Sequence, residues 1–204
     1  MISIRHFRMI ESGIVGLTAA VHLKEKYPAA HILILERGFL PNGASTKNAG
    51  FACFGSLSEI LEDLETQSEA MVVDLVRKRL DGLELLRKTI GDKTMDYHIY
   101  GGYEFFTEHD EESQVKCISE LERVNNLLRP VFNNEVFNVC KNEFNFRNIR
   151  EPLIYNKFEG QINTGKMMEA LLQKVQVMGA KILNNIYVES FTDKVEAVEV
   201  KTDK

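Results

Sequence analysis

The chain has 204 residues, of which 44% are hydrophobic and 27% are charged, and its formal net charge at pH 7 is −5. This composition is typical of a globular protein that buries one sizeable core. The acidic balance argues against a nucleic-acid partner, because phosphates favour a basic surface. No apolar run approaches the roughly 18 residues of a membrane span. The amino terminus also lacks the apolar core of a secretory signal, so we expect no membrane partner.

The cysteines are few and widely spaced. Cys53, Cys117 and Cys140 form no CxxC pair and no disulfide framework. We expect no metal site, and we expect Cys53 to be a buried structural thiol. Because unpaired cysteines are typical of a reducing compartment, we predict a cytoplasmic protein.

The start of the chain predicts a strand, a helix and a second strand. Residues 7–10 form a short candidate strand that Arg8 interrupts, whereas a buried parallel strand normally reads as an unbroken apolar run. A helix is predicted over residues 13–26, where apolar positions recur three and four residues apart, and Pro28 ends it. Residues 31–35 are a short apolar run typical of a buried strand.

The middle of the chain predicts a loop followed by long helices. Residues 38–55 are rich in small and turn-forming residues, which indicates a loop. Apolar positions at helical spacing over residues 58–90 predict either one long helix or two helices broken near residues 67–69. The next predicted elements are a strand at residues 99–107 and a helix at residues 111–128 that Pro130 closes.

The last part of the chain returns to alternating strands and helices. Asn163 or Thr164 can cap a helix, and Gly179 is a plausible stop for it. The final predicted elements are two strands, at residues 181–188 and 195–200. Strands and helices therefore follow an α/β order, with an insertion between about residues 57 and 155.

The segment SGIVGL at residues 12–17 lies at the start of the first helix, and Glu36 follows the second strand. This is the layout of a dinucleotide-binding βαβ unit. Gly13 lets the backbone contact a diphosphate at the positive end of the helix, and Gly16 lets the helix pack tightly on its strand. Glu36 can accept hydrogen bonds from a ribose. The alternatives are a helix start that happens to hold two glycines, and a solvated acid at a strand end.

Glu11 occupies the first position of the full pattern G-x-G-x-x-G. The glycine of that position makes a tight turn that a side chain often cannot enter. Two unit charges about 4 Å apart repel by about 4 kcal/mol at an effective dielectric constant of about 20, although rotation of the side chain into solvent relieves much of this. We therefore predict weakened dinucleotide binding rather than its loss. Equal cofactor affinities of the chain and its Glu11→Gly variant would contradict this prediction.

The loop segment GASTKNAGF at residues 43–51 is the other candidate for ligand contact. Its small residues permit close passage of a flat ligand, and Ser45, Thr46 and Asn48 offer hydrogen bonds. A flexible surface loop fits these residues as well, so the segment by itself does not choose between the two interpretations.

Three segments together resemble the FAD-dependent amine and amino-acid oxidase family, which includes D-amino acid oxidase, glycine oxidase and sarcosine oxidase. They are SGIVGL with the strand end LER, the segment GASTKNAG, and the segment EGQINTG at residues 159–165, which a helix and Gly179 follow. The segments occur in the family's order and at about its spacing. The combination is specific for the family and unspecific for the substrate.

The resemblance implies an α/β fold, in which an FAD-binding doubly wound (Rossmann-like) domain carries part of an inserted α+β substrate domain. The FAD-binding domain, incomplete here, would comprise residues 1–56 and 157–204. Residues 57–156 would form a helical segment and part of the substrate domain.

The resemblance also implies the residues that bind FAD. Gly13 and Gly16 would lie at its diphosphate, and Glu36 would hold the adenosine ribose with Arg37 beside it. The backbone of Val188 would meet the adenine, although core packing explains this valine equally well. The residues that would line the path of the diphosphate and flavin are Ala44, Ser45, Asn48, Ala49 and Gly50.

The chemistry implied by the resemblance is oxidation of a C–N bond. In that family the flavin accepts a hydride from the carbon beside a substrate amine, and the imine that results is hydrolysed. The cofactor supplies this chemistry and the protein positions the substrate, so we name no catalytic residue. A tyrosine such as Tyr100 or Tyr103 could touch a substrate, but packing within a sheet is the better interpretation. The implied partner is a small-molecule amine or amino acid.

Members of the family are much longer than this chain. We therefore expect an N-terminal fragment of an FAD-dependent oxidoreductase that has little or no activity alone. A partner that supplies the missing C-terminal part is the other expectation. Three alternatives stay open: a catalytically inactive nucleotide-binding module, a nicotinamide-dependent enzyme that uses the same βαβ unit, and an interaction surface without a cofactor.

Overall fold

The computed structural model of the protein describes residues 5–195 and 197–204 and divides into two compact units. The first unit comprises Met1–Gly50, Ile90–Asp96 and Asn163–Lys204. The second unit comprises Phe51–Thr89 and Tyr97–Ile162.

The elements follow one another along the chain as alternating strands and helices. The first half contains β1 (His6–Ile10), α1 (Ile14–Lys26), β2 (His31–Leu35), β3 (Phe51–Ala52), α2 (Leu57–Thr66), α3 (Glu69–Ile90) and α4 (Asp92–Met95). The second half contains β4 (Gly102–Phe106), α5 (Glu111–Phe132), β5 (Phe137–Cys140), β6 (Arg150–Asn156), β7 (Gly160–Gln161), α6 (Thr164–Val177), β8 (Lys181–Leu183), β9 (Val188–Asp193) and β10 (Val198–Thr202).

The first unit is built on a parallel sheet with the strand order β1-β2-β8. The central strand β2 has the sequence HILIL, and this apolar run explains why most of its side chains are buried. The predicted strand–helix–strand start of the chain is confirmed, including the first strand, which forms despite Arg8. Because β1 and β2 run parallel, their carboxyl ends meet at one edge of the sheet, where ligands of such sheets bind.

Two helices of the first unit, α1 and α6, pack against each other. α1 begins after Gly13 and buries Leu17, Ala20 and Val21 along one stripe. α6 begins after Asn163, whose side chain accepts a hydrogen bond from the backbone N–H of Lys166 at 3.0 Å. This asparagine is the cap that the sequence predicts as one of two choices.

The end of the chain differs from the prediction. The prediction of a single strand at residues 181–188 is wrong, because this segment contains β8 and the start of β9, which belong to different sheets. Between them Asn185 has a φ of 57°, and its backbone N–H donates to the Gly38 carbonyl at 3.0 Å. β9 pairs antiparallel with β10, which begins at Val198 rather than at Val195.

The second unit packs helices α2, α3 and α5 around an antiparallel sheet with the order β4-β6-β5. The residues at the centre of its core are Phe54, Leu57, Ile60, Val72, Val76, Phe106, Val124, Leu128, Phe137 and Ile154. β3 and β7 form a separate short antiparallel pair. Residues 58–90 were predicted to form either one long helix or two helices. The prediction of two helices is confirmed, because α2 ends at Thr66 and α3 begins at Glu69.

Pro130 does not close its helix as predicted. α5 continues to Phe132, and Asn133 ends it in the left-handed conformation with a φ of 52°. A proline this close to the helix end removes only one of the last backbone hydrogen bonds. Beyond the proline the helical hydrogen-bond pattern continues, because the N–H of Asn133 donates to the Arg129 carbonyl at 2.8 Å.

Candidate cofactor-binding site

A cavity of about 270 Å³ lies in the first unit, where β1 and β2 end and α1 begins. The predicted cofactor residues that line it are Gly13, Glu36, Arg37, Ala44 and Ser45. The other lining residues are Glu11, Gly38, Pro41, Asn42 and Gly43. The sheet edge and the loop that follows β2 therefore form one concave site.

The structure shows a different reason for a glycine at each of the two positions of the helix start. Gly13 is the N-cap of α1, and a Cβ built on it would lie 3.0 Å from the Ser45 hydroxyl oxygen. A Cβ on Gly16 would overlap the backbone carbonyl oxygen of Glu11. Gly13 therefore keeps the cavity floor free of a side chain, whereas Gly16 lets α1 approach the end of β1.

Glu36 is buried at the end of β2, with 6% of its surface exposed. Its Oε2 accepts hydrogen bonds from the Ser12 N–H at 2.9 Å and the Ser12 hydroxyl at 2.6 Å, and its Oε1 accepts one from the Gly38 N–H at 2.8 Å. Burial alone would raise the pKa of Glu36, but these hydrogen bonds and the charge of Arg37 outweigh it and hold the pKa below its usual value. An ionised carboxylate with acceptor capacity left on Oε1 therefore lines the cavity.

Ser12 is a site residue that the sequence interpretation missed as an individual contributor. It is fully buried, and both its backbone and its hydroxyl donate to Glu36. The signal available in the sequence was a small hydroxyl residue between the first strand and the first glycine of the helix start. Gly38 and Asn42, which also line the cavity, carried no such signal.

The loop after Gly43 uses its polar groups largely for its own structure. The Ser45 hydroxyl accepts a hydrogen bond from the Ile14 N–H at 3.0 Å, so it caps the first turn of α1. The Asn48 amide donates to the carbonyls of Ala44 and Ser45, each at 3.1 Å, and its Oδ1 accepts from the Gly50 N–H at 2.9 Å. Ordered contacts of this kind argue against a purely flexible surface loop.

The remaining predicted cofactor residues do not line the cavity. Asn48 and Ala49 are exposed beside it, and Gly50 is buried with a φ of 78°. Val188 is the first residue of β9 and pairs with Thr202, outside the parallel sheet. Of the predicted cofactor residues, Gly13, Glu36, Arg37, Ala44 and Ser45 therefore line one cavity, whereas Gly16, Asn48, Ala49, Gly50 and Val188 do not line it.

Glu11 enters the tight turn after β1 by adopting the left-handed conformation, with a φ of 72°. Its backbone N–H donates to the Leu35 carbonyl at 2.8 Å, which ties the end of β1 to the end of β2. The left-handed region is unfavourable for residues other than glycine. The turn of the glycine pattern is thus preserved with a charged residue in it.

Other candidate groups lie in the second unit. Tyr103 packs against the rings of Phe144 and Tyr155, with centroids 4.9 and 4.8 Å apart, in agreement with the expected sheet packing. Cys53 was expected to be buried, and this expectation is wrong, because its side chain is exposed. Within residues 5–195 and 197–204, no group of three or more His, Cys, Asp or Glu side chains could hold a metal ion. None of the helices described is long and apolar enough to cross a membrane.

The residues present fit a dinucleotide cofactor: the cavity lacks a side chain at Gly13, and a buried Glu36 with a lowered pKa lines it at the end of β2, where an acid of a dinucleotide-binding unit is expected. Glu11 and Glu36 are both acidic residues of the lining; Glu36 is tied to Ser12 and Gly38, whereas the side chain of Glu11 is exposed, and its charge opposes a diphosphate.

Comparisons with known proteins concern the fold and the family of the chain. No curated protein matches the chain. Its fold is similar to that of L-amino acid deaminase from Proteus myxofaciens, with a TM-score of 0.69 and 17% identity over 100% of this chain and 43% of that one. Glycine oxidase from Geobacillus kaustophilus gives a TM-score of 0.67 and 16% identity over 98% of this chain and 52% of that one. For L-proline dehydrogenase from P. horikoshii the values are 0.65 and 18%, over 100% and 50%.

The chain therefore spans about half the length of these similar structures. The model of the FAD-dependent oxidoreductase family designated DAO matches residues 12–204, nearly the whole chain. With the cavity, its buried glutamate and its glycine-bearing helix start in place, the match shows that the chain belongs to the family of FAD-dependent oxidoreductases.

Proposed function

We propose that the first unit binds FAD in the cavity at the start of α1. Gly13 and the first amides of α1 would face the diphosphate, and Gly16 would keep the helix close to β1. Glu36 would accept hydrogen bonds from the adenosine ribose, with Arg37 beside it. Ala44, Ser45, Asn48, Ala49 and Gly50 would follow the diphosphate and flavin, and Val188 would meet the adenine. The observation that carries this proposal is the buried, hydrogen-bonded Glu36 at the end of β2.

We further propose that the family chemistry of this protein is oxidation of a C–N bond in a small amine or amino acid. When bound, FAD supplies the acceptor for a hydride from the carbon beside the amine. The names of the similar structures, which are a deaminase, an oxidase and a dehydrogenase of amino acids, support this substrate class. The residues of this chain bind and orient the cofactor, and we assign none of them a catalytic role.

The domain organisation follows from the same proposal. The FAD-binding domain is residues 1–56 and 157–204, and residues 57–156 are part of a substrate domain. In the second unit, Tyr103, Phe105 and Val139 are exposed large hydrophobic residues on the strands β4 and β5. We propose that further polypeptide, in the same protein or in a partner, covers these strands, and that this chain alone binds FAD without oxidising amines. The unpaired cysteines support a cytoplasmic location.

The test is the absorption spectrum of the purified chain after incubation with FAD and removal of free cofactor. We expect bound flavin bands, and we expect Glu36→Gln to reduce FAD affinity by at least about tenfold, because a hydrogen-bond acceptor of a ribose is lost. Glu122→Gln, at an exposed position of α5, is the matched control. A folded, colourless protein would refute the proposal, and binding of NAD in place of FAD would favour the nicotinamide alternative.

Whether the chain works alone is tested by turnover. A panel of glycine, L-proline, other amino acids and simple amines is offered to the flavin-loaded chain, and reduction of the flavin is followed without oxygen. We expect no reduction. Reduction by any of these compounds would show that the chain is active by itself.

A further inference from the structure

A small cavity in the second unit contains a buried polar group without a partner. The cavity measures about 50 Å³, and residues of β4, of β6 and of the turn after β6 line it. Asn156 is one of them and is 4% exposed. Its Oδ1 accepts a hydrogen bond from the Phe158 N–H at 3.0 Å, but its Nδ2 has no partner within the described part of the chain. A buried donor of this kind requires an acceptor.

The half-buried side chain of Glu159 lines the same cavity. A Cβ built on Gly102 would overlap the Glu159 Oε2, so the carboxyl group lies directly on the backbone of β4. The backbone carbonyl of Glu159 also accepts a hydrogen bond from the Gly101 N–H at 2.9 Å. The turn after β6 is therefore held to the start of β4 by backbone and side chain together.

Two other carboxylates lie close to that of Glu159. Glu104 accepts hydrogen bonds from two backbone N–H groups at the start of α2, at 3.0 and 3.3 Å, which stabilise its negative charge. Glu59 accepts one from the N-cap residue of α2 at 2.9 Å. Burial, followed by the charges of Glu59 and Glu104, raises the pKa of Glu159 to about 7, and the amide of Asn156 lowers it in part.

Other titratable groups surround the cavity and the turn after β6. With the two glutamates, these groups are Cys53, Glu59, Arg79, His98, Tyr103 and Glu104. Arg79 is the cation among them, and its Nη1 donates to the Phe54 carbonyl at 2.9 Å. The neighbours with the largest effect on the charge of Glu159 are the two glutamates, so its ionisation creates repulsion at this place.

The turn that carries Glu159 leads directly into β7, a strand of only two residues. The Gln161 N–H donates to the His98 carbonyl at 2.9 Å, and the His98 N–H donates to the Gln161 carbonyl at 3.0 Å. β7 also pairs with the two residues of β3. Because so few hydrogen bonds hold β7, it can open locally without unfolding of the whole unit.

We propose that Glu159 and this cavity form a pH-sensitive latch on β7. In acid, the protonated carboxyl group stays against Gly102, and one water molecule joins it to the Nδ2 of Asn156. A cavity needs only about 10–15 Å³ to hold a water molecule. When Glu159 loses its proton to solvent, Glu59 and Glu104 repel the carboxylate, which turns outwards, and β7 opens more often. The closed form stays the major form throughout, and the latch does not depend on the proposed binding of FAD.

The test is amide hydrogen exchange of Gly101, His98 and Gln161 at about pH 5.5 and 8.5, corrected for the intrinsic rate at each pH. We expect the opening equilibrium to increase by about tenfold, which corresponds to a coupling of one pKa unit. Glu159→Gln keeps the shape of the protonated carboxyl group and should reduce this increase to no more than about twofold. The exposed Glu122→Gln is the matched control and should behave as the unaltered chain does.

Two further variants identify the group that titrates. Glu59→Gln can keep the capping hydrogen bond but removes the charge, so the midpoint of opening should move to lower pH. It also tests the latch if Glu159→Gln fails to fold, which circular dichroism would show. His98→Gln removes the histidine of the bridge, and the dependence on pH should persist in this variant.

Nuclear magnetic resonance supplies a second readout. The ¹³C shift of the Glu159 carboxyl group should titrate with the same midpoint as the opening, and the side-chain amide of Asn156 should show a cross-peak to water at about pH 5.5. The latch is wrong if Glu159→Gln responds to pH as the unaltered chain does, or if His98→Gln abolishes the response. Absence of the cross-peak would rule out the shared water molecule. A chain that does not bind FAD would leave all these expectations unchanged.

Discussion

Gly16 determines how closely α1 approaches β1. A Cβ at this position would overlap the carbonyl oxygen of Glu11, which is backbone and cannot rotate away. We therefore expect Gly16→Ala to lower the free energy of unfolding by about 1–3 kcal/mol, the usual cost of overpacking. Urea unfolding measures this change.

Gly82 provides the matched control for this substitution. It lies inside α3, and a Cβ built there meets nothing within 4 Å. Alanine is the better helix former, so Gly82→Ala should raise stability by about 0.5–1 kcal/mol. Equal effects of the two substitutions would show that the close approach at Gly16 is unimportant.

Ser12 stabilises the ionised form of Glu36 through two donors. Ser12→Ala removes the hydroxyl, and the loss of a hydrogen bond to a charged group costs about 1.5–3 kcal/mol. The pKa of Glu36 is lowered in the folded protein, so the stabilisation is present above the usual pKa of a glutamate and is lost as the pH falls through the lowered value. The destabilisation by Ser12→Ala should therefore be large at pH 7 and smaller in acid.

The measurement is urea unfolding of the two proteins at a series of pH values. Ser119→Ala, which removes an exposed hydroxyl on α5, should change stability little at any of them. A Ser12→Ala effect that is independent of pH would mean that the hydroxyl serves packing rather than the charge of Glu36.

At the scale of elements, the sequence is most informative where structure is local. α1, β2 and the break between α2 and α3 follow from apolar spacing and from caps that lie within a few residues. The division between β8 and β9 could not be predicted in this way. It depends on backbone hydrogen bonds from Asn185 and Ile186 to the carbonyls of Gly38 and Glu36, about 150 residues earlier in the chain.

The candidate site shows the same limit. Gly13 and Glu36 were predicted because each belongs to a motif with a known spacing, and the structure places both at the cavity. The contact of Ser45 with Ile14 depends on how the loop after β2 folds back, and no spacing rule covers it. A side chain is expected to fit poorly in the turn at Glu11, but the turn forms because Glu11 adopts the left-handed conformation.

In the second unit, α2, β4 and the turn before β7 bring three carboxyl groups together. Burial raises the pKa of Glu159 to about 7, with further contributions from Glu59 and Glu104. Between the ordinary value of 4.5 and about 7, the unfolded chain has lost this proton while the folded chain keeps it. Stability should therefore fall as the pH rises across this window and level off above it.

Glu159→Gln removes this ionisation. A shift of one pKa unit corresponds to about 1.4 kcal/mol, and solvent screening of the half-buried Glu159 reduces the full effect. We therefore expect the variant to be more stable than the unaltered chain by about 2 kcal/mol at pH 8, and by little at pH 4.5. Urea unfolding at the two pH values, with Glu122→Gln as an exposed control, decides the matter. A stability difference that does not depend on pH would contradict the assignment to Glu159.

At the scale of the whole molecule, the chain combines a cavity that fits a dinucleotide with a sheet that leaves aromatic side chains exposed. Tyr103 and Phe105 on β4 are 42% and 52% exposed, and Phe144 and Phe146, in the loop between β5 and β6, are about equally exposed. Exposed groups of this size usually mark a surface that another segment covers. Under the proposed function, binding of the cofactor therefore does not need the segment that covers this sheet, whereas turnover of a substrate does.

This separation leads to a prediction for hydrogen exchange. A ligand that binds only the folded first unit stabilises that unit by RT ln(1 + [L]/Kd), about 2.7 kcal/mol at a concentration of 100 Kd. Amide exchange should therefore slow with FAD in α1, β2 and the loop over residues 38–50. In α5 of the second unit, exchange should stay nearly unchanged, because no proposed cofactor contact lies on that helix.

The control is the same experiment with Glu36→Gln at an FAD concentration that saturates the unaltered chain. The protection of α1 and β2 should then be reduced, because the weaker complex is only partly formed. Equal slowing of α1 and α5 by FAD would instead mean that the two units open together, so that the cofactor stabilises the whole chain and not the nucleotide site alone.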